Sequence, residues 1–192
     1  MRIIAGVAKG RALGNVADAT RPTSDRAREG LFSSLTSEFG SFSGLHVLDL
    51  FSGSGAIGLE AFSRGASIVH AIEQDPEAQK TIEHNCALVK KNQPVGEFHL
   101  YAMSAHRFVT ESAKESYDIV YIDPPFDFAD TGVEEILRRL ELGGFLKDGA
   151  LIAVERTAKG SKFSWPEGFS PARERSYGAV SIFYGYFNSK NG

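Results

Sequence analysis

Val47-Leu48-Asp49-Leu50-Phe51-Ser52-Gly53-Ser54-Gly55-Ala56-Ile57-Gly58 joins an apolar run to a helical pattern through a glycine-rich turn. Glycines at such a junction let the backbone approach a ligand and enter the helix without a Cβ clash. Gly53-Ser54-Gly55-Ala56-Ile57-Gly58 matches the dinucleotide fingerprint, and Glu73 closes the next strand 20 residues after Gly53. A carboxylate there can accept hydrogen bonds from both ribose hydroxyls. The pairing points to an adenosine-containing cofactor and leaves NAD and S-adenosylmethionine both open. Asp49 closes an otherwise apolar strand, where a buried carboxylate is costly unless a cation or hydrogen-bond donor lies nearby. It suits a cofactor bearing an ammonium and a sulfonium. The plainer alternative is a tight turn that needs glycine for packing, with Glu73 a solvated strand end.

Outward from this junction, short β-rich runs alternate with helical patterns, the signature of a doubly wound parallel sheet. The expected strands are 46–50, 67–73, 95–101, 117–123 and 149–155, with helices near 56–64, 76–91, 104–112 and 130–142. After Glu155 the alternation stops. Residues 173–177 and 180–187 flank Tyr177-Gly178-Ala179 without room for a helix, so they are expected to form an antiparallel hairpin at the sheet edge. Before the sheet, residues 2–6 and 10–16 read as two small strands. They precede a helix capped by Thr23 or Ser24 with an apolar face of Ala27, Leu31, Phe32 and Leu35.

The fourth strand of the parallel set ends Asp118-Ile119-Val120-Tyr121-Ile122-Asp123-Pro124-Pro125-Phe126, at the carboxyl edge where open α/β sheets bind ligands. Two prolines stiffen the backbone and remove two N–H donors. The Asp123 carboxylate and the Pro124 carbonyl are left as acceptors, and acceptors alone suit an amino group. An exocyclic amine on a nucleobase is a weak nucleophile because its lone pair is delocalised into the ring. Hydrogen bonds to Asp123 and Pro124 favour its pyramidal form and orient the lone pair, and Phe126 can stack on an unpaired or flipped base. Asp123, Pro124, Pro125 and Phe126 are the candidate catalytic residues. Phe51, Ser52, Gly53, Gly55, Asp49, Glu73, Gln74 and Asp123 are candidate cofactor contacts, while Tyr121 and Ile122 read as sheet core.

Composition narrows the setting. The chain has 192 residues, 42% of them hydrophobic, which suffices for one core, and its single cysteine, Cys86, excludes an internal disulfide and a cysteine metal cluster. His46, His70, His84, His99 and His106 show no ligand spacing, so no metal is expected. Neither an export signal nor a membrane span is indicated, and a cytoplasmic monomer is the expectation. Net charge is −3, yet residues 1–30 carry +3 through Arg2, Lys9, Arg11, Arg21, Arg26 and Arg28 against Asp18, Asp25 and Glu29. A basic front end on an acidic body points to a polyanionic partner.

Taken together, these residues resemble the class I, Rossmann-like methyltransferases of the Asn/Asp-Pro-Pro-Tyr/Phe group. Within it the chain resembles the RsmD-type family of small-subunit rRNA guanine-N2 methyltransferases. The likeness runs through Arg2-Ile3-Ile4-Ala5-Gly6, Lys9-Gly10-Arg11, Arg21-Pro22-Thr23, Arg28-Glu29-x-Leu31-Phe32, the Asp49 to Gly55 loop, Asp123 to Phe126, and Tyr177-Gly178. The resemblance implies a single α/β domain with a seven-stranded, mostly parallel sheet whose last strand is antiparallel. Residues 1–40 then form an extension that contacts RNA through Lys9, Arg11, Arg21, Arg26 and Arg28. It implies S-adenosylmethionine as donor, and 16S rRNA within an assembling small subunit as partner. Related enzymes often hold the cofactor adenine with a polar side chain after the third strand. Here that place reads Tyr101-Ala102-Met103-Ser104, so backbone near Ala102 and Met103 is the expected contact.

Three other readings stay open on sequence. An adenine-N6 methyltransferase would use the same motif, but no separate DNA-recognition domain is evident. A non-catalytic, cofactor-binding RNA protein has no need of an intact Asp123 with two prolines. An NAD oxidoreductase fits neither that motif nor the terminal hairpin.

Overall fold

The computed structural model describes residues 1–16, 25–158 and 163–189. The elements run α1 (Asp25–Phe39), β1 (His46–Leu50), α2 (Ala56–Ser63), β2 (Ile68–Glu73), α3 (Pro76–Lys90) and β3 (Glu97–Ala102). They continue with α4 (Ala105–Thr110), β4 (Tyr117–Ile122), α5 (Asp130–Leu142), β5 (Leu146–Thr157), β6 (Phe169–Tyr177) and β7 (Val180–Phe187). The strands form one seven-stranded sheet in the order β3-β2-β1-β4-β5-β7-β6. Strands β1 to β5 pair in parallel, and β7 runs antiparallel to both β5 and β6. This is the architecture that the resemblance implies.

Helices cover both faces, which is why β1, β2 and β4 are almost continuously apolar. One core gathers Leu31, Phe32 and Leu35 of α1 and the apolar faces of α2 and α3 over Val47, Val69, Ile119 and Leu151. The other gathers α4 and α5 over Leu48, Val120, Ile122 and Ile152. Helix α5 shows the pattern clearly: Val133, Ile136, Leu137 and Leu140 fall on one buried stripe. Helix α3 starts where Pro76 fixes the first turn and the Asp75 carboxylate accepts from the N–H groups of Glu77 (2.9 Å) and Ala78 (2.8 Å).

The chain leaves β1 toward β2 on one side and returns as β4 on the other, so the carboxyl ends of β1 and β4 flank the switch in strand order. Ligands bind at such crevices. Register carries the site outward from here: Asp49 pairs with Tyr121, and Ile122 with Val154. The next residues, Asp123 just past β4 and Glu155 within β5, therefore stand side by side.

Three expectations need correcting. Residues 2–6 and 10–16 do not form strands; a single antiparallel bridge joins Arg2 and Ala12. Gly6 and Gly10 turn through left-handed backbone, and the N–H groups of Ile4 and Ala5 go to the Glu60 carboxylate (2.7 and 2.9 Å) instead of a strand partner. Strand β6 begins at Phe169, four residues earlier than expected, because an edge strand tolerates Pro171. Strand β5 likewise starts early, at Leu146, and a register shift separates its Leu146–Tyr117 pair from the Leu151–Ile119 pair. The expected caps Thr23 and Ser24 lie outside the described residues.

Candidate active site

The glycine loop is built by competing demands on a few backbone groups. Ser52 donates from its N–H to the Ile72 carbonyl (3.0 Å) and from its hydroxyl to the Asp49 carbonyl (2.7 Å). Phe51 sits at φ 62, a left-handed conformation rare for a side chain of that size. Gly53 and Gly55 adopt φ 55 and 75, and Gly55 closes the loop through an N–H bond to the Ser52 carbonyl (2.7 Å). A Cβ at Gly53 would meet open space, so its backbone is bare toward the crevice. One at Gly55 would press on Ile82 at 3.2 Å. Gly53 therefore serves approach and Gly55 serves packing, and Gly55 does not line the cavity.

Asp49 lies beneath this loop, 1% exposed, with Oδ2 accepting from the Gly58 N–H at 3.0 Å. Burial pushes its carboxyl up to about 7; the Gly58 bond opposes the rise and the nearby Glu73 charge adds to it. A cation in the crevice would restore the ionised form. Glu73 accepts from Gly53 (2.7 Å) on one oxygen and from Gln74 (2.8 Å) and Asp75 (2.9 Å) on the other. Three of roughly four acceptor positions of a carboxylate are thus taken among the described residues, leaving room for one ribose hydroxyl rather than two.

These groups face one cavity of about 640 Å³, within the usual range for small-molecule sites. Its lining joins the two motifs: Asp49, Phe51, Ser52, Gly53, Glu73 and Gln74 on one side, with Asp123, Pro124, Pro125 and Phe126 on the other. Phe126 is 52% exposed at this wall, and Phe51 meets Phe128 edge to face at 5.3 Å between centroids. The turn after Phe126 is fixed from β5, where Arg156 donates to the Asp130 carboxylate (2.8 Å) and to the Phe128 carbonyl (2.6 Å). A buried carboxylate for a cation, an acceptor for a hydroxyl and apolar walls from Ala56, Ile57 and Ile72 fit a charged, nucleoside-type cofactor.

Several expected residues sit elsewhere. Ala102 is exposed and Met103 packs against the second core, so neither lines the cavity; Ala105, at the start of α4, does. Arg28, expected to face RNA, is 1% exposed and donates to the Arg2 carbonyl (2.7 Å) and the Asp25 carboxylate (2.9 Å). A side chain so enclosed ties α1 to the N-terminal arm. Arg11 is half-buried and tethered to Asn92 (3.0 Å), whereas Lys9 and Arg26 are exposed. Arg21 lies outside the described residues.

Other residues of the site escaped sequence reading. Tyr121 is buried, yet it lines the cavity and its hydroxyl donates to Glu155 at 2.6 Å. Glu155 closes the apolar run Leu151 to Val154, the same signal that singled out Asp49. The N-terminal arm supplies Met1, Asn15 and Val16 to the cavity wall. Asn85, fully buried on α3, holds this arm to the glycine loop. It accepts from the Gly14 N–H (2.7 Å) and donates to the carbonyls of Gly14 and Ser54 (both 3.0 Å).

The profile of the family described as Conserved hypothetical protein 95 matches residues 1–186. Ribosomal RNA small subunit methyltransferase D of Escherichia coli (strain K12) is 36% identical over 183 residues, spanning 94% of this chain and 87% of the relative. Its namesake in Haemophilus influenzae is 33% identical over 183 residues, spanning 94% and 91%. The solved structure of the Escherichia coli protein yhhF, named there as a methyltransferase, superposes with a TM-score of 0.84 at 33% identity and covers 99% of both chains. The chain therefore belongs to the ribosomal RNA small subunit methyltransferase D family.

Proposed function

We propose that the protein transfers a methyl group from S-adenosylmethionine to the exocyclic N2 amine of one guanine in 16S rRNA, in the cytoplasm, on an assembling small subunit. The observation that carries this reading is the shared cavity: Asp123 and the two prolines face the same space as Asp49, Glu73 and the glycine loop. Family membership supports the substrate class.

Asp49 balances the positive charge of the cofactor, Glu73 accepts from its ribose, and the bare backbone at Gly53 allows close approach. When bound, S-adenosylmethionine supplies an electrophilic methyl group on a sulfonium. The protein's remaining task is to position the nucleophile. The Asp123 carboxylate and Pro124 carbonyl accept from the two protons of the amine, and Phe126 stacks on the base. Passage of the methyl from sulfur to the amine nitrogen would release one proton from that nitrogen, for which Asp123 is the acceptor. Lys9 and Arg26 are the phosphate contacts of the 1–40 extension.

The test is methyl transfer from labelled S-adenosylmethionine to small subunits from cells lacking this protein, followed by nucleoside analysis. N2-methylguanosine is expected. N6-methyladenosine would replace the target and keep the chemistry, and absence of label despite cofactor binding would overturn the enzymatic reading.

A further inference from the structure

Glu155 has no part in the transfer as derived above, although burying a carboxylate is costly and it stands at the wall of the amine-binding motif. It is 6% exposed, and it lines the cavity together with Asp123 and Pro124. One of its oxygens, Oε2, is held by the Tyr121 hydroxyl at 2.6 Å. Burial, with the Asp123 and Glu155 charges adding to it, raises the Tyr121 phenol well above its ordinary value, so this hydroxyl stays a donor. Glu155 is therefore a fixed acceptor one strand away from Asp123, just beyond the Ile122–Val154 register pair.

The nucleobases differ at the ring position beside their exocyclic amine. In guanine the neighbour of the 2-amine is N1–H, a donor. In adenine the neighbour of the 6-amine is N1, and in cytosine the neighbour of the 4-amine is N3; both are acceptors. A carboxylate next to the amine site bonds the first and repels the other two. We infer that Glu155, oriented by Tyr121, selects guanine by accepting its N1–H while Asp123 and Pro124 hold the 2-amine. This rests on the guanine-N2 reading and names the residue that enforces it. An acceptor facing a lone pair without water is a strong basis for rejection, since sites built around a buried hydrogen bond discriminate by roughly 10⁴-fold.

The experiment places 2,6-diaminopurine at the methylated position of reconstituted small subunits. This base keeps the 2-amine but presents N1 as an acceptor. The wild-type protein is expected to methylate it at least about 100-fold more slowly than guanine. Glu155→Gln, whose amide can donate to N1, is expected to narrow that ratio to below about tenfold while binding S-adenosylmethionine with unchanged affinity. Tyr121→Phe, which takes one hydrogen bond from the carboxylate without removing it, is expected to narrow the ratio less. A structural role alone would slow both substrates equally and leave the ratio alone. N2-methylguanosine from the wild type with an unchanged ratio in Glu155→Gln, or equal wild-type rates on the two bases, would overturn this inference by itself. Wild-type label on adenine N6 would overturn it together with the guanine reading.

Discussion

At about pH 6, binding of S-adenosylmethionine is expected to release about 0.9 proton from Asp49, and at about pH 8 only about 0.1. The figure follows from the carboxyl's value of about 7 in the free protein and a bound cation that holds the group ionised. Affinity then weakens as pH falls, by close to tenfold between about pH 7.5 and 6. The ligand's own α-amino group is already half deprotonated at about pH 7.7, so the acid end of this range is the informative part. Calorimetric titration in buffers of different ionisation enthalpy measures the released proton directly. Asp49→Asn is expected to bind weakly, release no proton and show no slope in this window. For folding stability the sign is opposite. The folded-state value exceeds the unfolded value of 3.8, so this contribution to stability is fully present below about 3.8 and lost as pH rises through about 7. Asp49→Asn should flatten that fall. No proton release by the wild type at about pH 6 would refute the assignment of Asp49 as the group that meets the cofactor's charge.

Other substitutions probe the frame around the site. A Cβ at Gly6 would lie 1.9 Å from the Ser63 carbonyl oxygen with φ at +81. Gly6→Ala is therefore expected to cost about 2–5 kcal/mol and lower Tm by roughly 5–15 °C, checked by thermal denaturation. Lys9→Ala with Arg26→Ala should raise the KM for RNA several-fold, with cofactor affinity unchanged. The pair should reduce the salt dependence of RNA binding by about 0.7–0.9 in log–log slope per lost contact. Arg28→Ala should instead lower Tm and leave that slope alone. Arg156→Met, which releases Asp130 and the Phe128 carbonyl, should reduce kcat by about tenfold through a loosened Asp123 to Phe128 turn, with little change in cofactor affinity by titration.

The parts of the site that sequence reading reached are those whose chemistry is local. Gly53, Gly55 and Asp49 lie within seven positions of one another on a strand-to-helix junction, and Asp123-Pro124-Pro125-Phe126 is contiguous. Period and turn chemistry therefore carry the reading. What escaped acts across the chain. Asn85 occupies a buried helix stripe beside Ile82 and Val89 and bonds residues of the N-terminal arm 71 positions away. Glu60 stands fully buried inside α2 and takes the N–H groups of Ile4 and Ala5. Nothing in the neighbours of either residue signals a distant backbone partner. The basic segment is hard to read for the converse reason: charge counts do not distinguish Arg28, enclosed between α1 and the arm, from Arg26, two residues earlier and exposed. Tyr121 reads as core because its strand is apolar, and it is indeed buried, yet its hydroxyl is bonded to Glu155 at the site.

The most direct test of the central claim removes the Asp123 carboxylate and leaves the rest of the cavity intact. Asp123→Ala should bind S-adenosylmethionine within a few-fold of the wild type, because Asp49, Glu73 and the glycine loop remain. It should form N2-methylguanosine on small subunits about 10²–10³ times more slowly, the usual cost of removing one positioned electrostatic contact. Full methyl transfer by Asp123→Ala would contradict the assignment of the Asp-Pro-Pro-Phe turn as the place where the amine is held.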